Sequence, residues 1–96
     1  MYITVNTIKV VPQATPKMIE SFKKSAPEMK KLLGFLGFEL WRPDEGTILA
    51  IAKWESKEAF EQYPRSEMFR RHHGGFNNVE LQGPPRKDTY EGEVIA

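Results

Sequence analysis

The chain of 96 residues is enough for one small domain with one core, and its 14 basic residues against 13 acidic ones leave a net charge of +1. That balance offers no field suited to nucleic acid or to an anionic membrane. The absence of cysteine excludes disulfides, thiolate metal sites and a cysteine nucleophile, and no run approaches the roughly 18 apolar residues of a membrane span, so residues 1–96 read as a single soluble, cytoplasmic domain without a signal peptide.

Residues 2–11, YITVNTIKVV, are rich in β-branched side chains and read as a strand apolar on both faces. Pro12 ends it. Thr15 is expected to cap a helix with Pro16 in its first position. Met18, Ile19, Phe22, Met29, Leu32 and Leu33 recur at helical spacing, with Lys23, Lys24, Lys30 and Lys31 opposite. Pro27 should kink or split this helix near Ser25–Ala26, and Gly34 should stop it. FLGFELWR (35–42) and TILAIAKW (47–54) read as an antiparallel hairpin around the turn PDEG (43–46). Ser56 caps a short helix, KEAFEQY, broken by Pro64, and Ser66 caps EMFRRHH, which stops at Gly74–Gly75. GFNNVELQGPP is loop-like, with a short extended piece at Val79–Leu81, and residues 87–95 alternate as the last strand.

The order β-α-β-β-α-β predicts an α+β, ferredoxin-like sandwich with helices on one face of the sheet. The other face should carry apolar side chains such as Phe35, Trp41, Leu49 or Ile51. A patch that large on so small a chain predicts a homodimer joined sheet to sheet.

Few residues carry chemistry. The two histidines, His72 and His73, are adjacent. Adjacent side chains on a helix diverge by about 100°, so at most one faces inward. Phe69 shares a face with either. An imidazole at a helix end is an iron ligand, a general base or a capping group. Nothing supplies the three or four ligands of a zinc site. Asn6 is a lone amide in an apolar strand: either it sits on an edge facing water, or it is a polar group placed between sheet and helices. Tyr63 reads as a core aromatic with its hydroxyl at the rim. Arg65, Arg70 and Arg71 form a solvated helix face or a clamp for carboxylates. Phosphate-cradling and nucleophile-elbow motifs are missing.

Together, GFLGFELWRP, KWESKEAFEQY and SEMFRRHH resemble the antibiotic biosynthesis monooxygenase superfamily of dimeric α+β barrels. More narrowly, they are similar to the IsdG-type haem-degrading monooxygenases. The resemblance runs from the first strand to the last. Its most specific parts are WESKEAF (54–60) and the S-x-x-F-x-x-x-H that follows. It implies that Asn6 hydrogen-bonds on the distal side of a haem and that His73 is the proximal iron ligand. His72 is the alternative, since some members have a spacing one residue shorter. Tyr63 stands where the branch has a tryptophan that presses on the porphyrin. Tyrosine is smaller and adds a hydroxyl, so the resemblance supports haem binding more than haem breakdown.

On that reading Phe22, Phe60, Phe69 and Phe76 line a pocket for a flat macrocycle, and arginines, Arg70 among them, meet its propionates. The activity implied is haem degradation. Haem is both substrate and cofactor, and O2 with an external electron donor opens the ring and releases iron. The alternatives are a cofactor-independent monooxygenase acting on an aromatic or quinol-like molecule, or a haem-binding module without catalysis.

Overall fold

The computed structural model describes residues 1–74 and 84–96, except for the side chains of residues 72–74. Its elements are β1 (Tyr2–Lys9), α1 (Thr15–Ser25), β2 (Phe35–Asp44), β3 (Thr47–Trp54), α2 (Lys57–Glu61), α3 (Glu67–Gly74) and β4 (Arg86–Glu91). Short 3-10 segments at Pro12–Ala14 and Ala26–Lys31 flank α1. The strands form one four-stranded sheet in the order β2-β3-β1-β4, with every neighbouring pair antiparallel. This is the ferredoxin-like α+β arrangement expected from the element order. No helix among the described residues is long and apolar enough to cross a membrane.

Local sequence explains most boundaries. Pro27 cannot donate to a helical ladder, and the chain leaves α-helical geometry at Ala26, tightening into 3-10 turns. Ser56 and Ser66 both cap as expected: Ser56 Oγ accepts from Ala59 N–H at 3.1 Å, and Ser66 Oγ accepts from Phe69 N–H at 3.1 Å. Gly34 takes a left-handed φ of 81°. A Cβ there would stand 2.6 Å from the Ala59 Cβ, so this glycine also lets β2 start hard against α2.

Several expectations change. Thr15 does not cap α1. Ala14 occupies that position, and the buried Thr15 hydroxyl donates instead to the Glu45 carbonyl at 3.0 Å, tying the helix to the β2–β3 turn. The turn is shorter than PDEG, because Pro43 and Asp44 belong to β2 and the reversal falls on Glu45–Gly46. Leu33 is 84% exposed, since the helical run ends at Lys31. β4 ends at Glu91, and Val94 and Ile95 lie exposed beyond it. Phe35 is not on the helix-free face. A register shift between Phe35 and Gly37 places it opposite Trp54, and its ring meets the indole edge-on at 5.2 Å. The expected stop at Gly75, the extended piece Val79–Leu81 and the wall residue Phe76 lie outside the described residues.

Two apolar clusters hold the helices on the sheet. Tyr2, Met29, Ala52, Trp54, Tyr63 and Met68 form one. Ile8, Val10, Met18, Ile48 and Ala50 form the other. The helix-free face carries Ile3, Val5, Leu49 and Ile51 at its centre, partly exposed. Trp41 and Tyr90 lie towards its edges, more than half exposed.

Candidate active site

The register of β1 against β3 creates a cavity. Along the helix-facing surface the opposed pairs are Tyr2 with Trp54, Thr4 with Ala52, Asn6 with Ala50, and Ile8 with Ile48. Large pairs stand at each end and small ones between. The helices rest on the large pairs and leave a gap over the small ones. That gap is a cavity of about 440 Å³, within the range of small-molecule sites. Thr4, Asn6, Ala50 and Ala52 line its sheet side, and Phe22, Phe60, Tyr63 and Phe69 line its helical side.

Asn6 is thus not an edge residue. β1 lies between β3 and β4, and the Asn6 amide belongs to the cavity wall. The aromatic wall is interlocked. Phe22 stacks on Phe38 with centroids 5.6 Å apart, Tyr63 meets Phe69 edge-on at 5.2 Å, and Phe60 meets Trp54 edge-on at 5.8 Å. Ser66 fixes two of these rings through their backbones. Its hydroxyl donates to the Tyr63 carbonyl at 2.6 Å while capping α3 at Phe69. Burial, with a smaller contribution from the Glu28 carboxylate, pushes the Tyr63 phenol up to about 12, so it stays protonated at neutral pH. Glu28 in turn pairs with Arg71 at 2.7 Å, linking the 3-10 segment to α3.

The structure brings together Asn6, Phe22, Phe60, Tyr63 and Phe69 around one cavity. Arg70 is exposed and outside that lining. His72 and His73 fall in the last turn of α3, the helix that supplies Phe69, and their side chains lie outside the described residues. Among the described residues no cluster of three or more His, Cys, Asp or Glu is placed to hold a metal ion.

Sequence reasoning missed three features. Ala50 and Ala52 shape the cavity, and their signal was two alanines on one face of β3 between the larger Ile48 and Trp54. Trp54 is fully buried with its indole N–H unpartnered among the described residues. Lys87 lines the cavity from β4, and nothing in the sequence gives the register that puts it there.

Residues 1–75 match the family model for antibiotic biosynthesis monooxygenases. The chain belongs to that family. Among its members, a haem-degrading monooxygenase of Listeria monocytogenes is 33% identical over 100% of this chain and 88% of its own length. A mycobilin-producing haem oxygenase of Mycobacterium tuberculosis is 32% identical over 75% of this chain and 70% of its own. The structure of the haem degrader MhuD from M. tuberculosis, with two haems bound in its active site, superposes with a TM-score of 0.80 at 28% identity, covering 100% of this chain and 99% of that one.

Proposed function

We propose that this member of the antibiotic biosynthesis monooxygenase family is a haem-degrading monooxygenase. It takes haem into the cavity as substrate and, with O2 and electrons from an external donor, opens the porphyrin ring and releases the iron. The observation that carries this reading is the cavity itself. It is an apolar, aromatic-walled space with one amide, Asn6, on its sheet side, beneath a helix that ends in two histidines. Such a space suits a flat apolar macrocycle, and imidazole suits its iron. The relatives named for haem degradation and the full-length likeness to MhuD support it.

In this reading His73 ligates the iron, with His72 the alternative, and Asn6 is the hydrogen-bond donor on the opposite side. Phe22, Phe60 and Phe69 form the apolar walls. Tyr63 presents a neutral phenol where the haem-degrading branch has a larger indole. The helix-free face, with Val5, Ile51, Leu49 and Trp41, packs against a second copy to give a homodimer. Sedimentation of the wild type and of Ile51→Glu tests this: the wild type should run as a dimer and the variant as a monomer.

The central test is a haem titration followed by absorbance on the wild type, His73→Ala and His72→Ala, with ascorbate added in air afterwards. A saturable Soret band, absent in His73→Ala alone and bleached by reductant, is the expected result. A band that survives ascorbate leaves a haem-binding module without ring opening. No band in any form defeats the haem reading and favours a cofactor-independent oxygenase of quinol-like substrates.

A further inference from the structure

Among the described residues that line the cavity, Lys87 is the one with a charged side chain, and no carboxylate joins it there. The β1–β4 register sets it directly opposite Asn6, and opposed residues of an antiparallel pair share a face with their Cβ atoms about 5 Å apart. Its ammonium lies 4.5 Å from the centroid of the Phe60 ring, itself a cavity wall. A ring face attracts the cation and holds it in place but leaves its charge intact. The arginines that the sequence offered for this task are placed elsewhere. Arg65 and Arg70 are exposed and outside the lining, and Arg71 is paired with Glu28.

We propose that Lys87 binds a carboxylate carried by the cavity's ligand. The ligand class is then a flat apolar molecule with an acidic edge, held with that edge towards β4 and its apolar body over Ala50, Ala52 and the phenylalanines. This rests on the haem reading, in which the acidic edge is the pair of propionates. Lys87 is therefore a positioning residue. By fixing one edge of the macrocycle beside Asn6, it selects which part of the ring the amide faces.

The test is a matrix of two ligands, haem and haem dimethyl ester, against the wild type, Lys87→Gln and Lys87→Arg, each titrated by absorbance at low and high salt. Haem should bind Lys87→Gln roughly three- to tenfold more weakly than wild type, the range for a charge-assisted contact near the surface. Lys87→Arg should restore most of the loss. The dimethyl ester should bind all three proteins alike, and high salt should narrow the difference for haem. An equal loss for haem and ester would overturn the assignment, since the lysine would then act by packing on Phe60. No loss for either ligand would overturn it too, while leaving the haem reading intact. If the wild type gives no saturable band with either ligand, the haem reading fails first and takes this assignment with it.

Discussion

At one end of the sheet Tyr2 stands opposite Trp54, and the helical layer brings Phe60, Tyr63 and Met68 down onto them. At the other end Ile8 stands opposite Ile48 and meets Val10 and Met18. Between the two stand the smaller Thr4, Asn6, Ala50 and Ala52, and the cavity opens over them. The ends carry the burial that holds the domain together. The middle leaves the space in which a ligand can lie. Packing at the ends and open space in the middle are thus set apart along a single pair of strands.

This contrast can be broken at either place. Ala50→Leu puts a branched side chain into the gap. It should abolish saturable ligand binding while leaving the urea midpoint unchanged or raised, because the methyls enter existing space. Retained binding would show that ligands lodge elsewhere. Trp54→Ala strikes an end instead. Losing a fully buried indole that contacts Phe35, Phe60 and Tyr63 should cost about 3–5 kcal/mol in chemical denaturation.

Tyr63 stands between these cases. Its folded-state phenol is raised from 10.0 to about 12, chiefly by burial. Its contribution to stability is therefore complete below pH 10, where both folded and unfolded chains keep the proton. It is lost as the pH rises from 10 to about 12, where only the unfolded chain ionises. With solvent screening of this partly buried phenol the loss should be on the order of 1–2 kcal/mol, seen as a steeper alkaline fall for wild type than for Tyr63→Phe. The smallest effect is expected from Ser66→Ala. It removes the cap on α3 and the hydroxyl that holds the Tyr63 carbonyl, and should lower stability by about 1 kcal/mol, with a modest weakening of ligand affinity as Phe69 and Tyr63 loosen.

The fold was legible in the sequence wherever one residue acts on its own neighbours. β3 ran from Thr47 to Trp54 as the hairpin reading implied, Ser56 and Ser66 capped the helices they precede, and Pro27 broke the helix where a missing N–H must. What escaped depended on partners far along the chain. Simple alternation put Phe35 on the face of Trp41. The shift between Phe35 and Gly37, visible only against β3, moved it under the helices. Thr15 had the chemistry of a cap, but Glu45 offered its hydroxyl a partner 30 positions away. The cavity was half legible. Asn6, Phe22, Phe60, Tyr63 and Phe69 were brought together by the family resemblance, and they do meet around it. Lys87 was not, because only the β1–β4 register places it beside Asn6.

That pairing has a consequence for how a correctly folded molecule can be recognised. The residues facing the cavity alternate along β1 with those of the helix-free surface, Thr4 and Asn6 with Ile3, Val5 and Thr7. A slip of β1 by a single position would exchange the two sets, lining the gap with valine and isoleucine and turning the amide outward. Ligand capture would therefore require the correct strand alignment. A bound chromophore would report proofread chains only, so the fraction of a refolding mixture that takes up colour would count the molecules that found the right alignment, without any separate probe of structure.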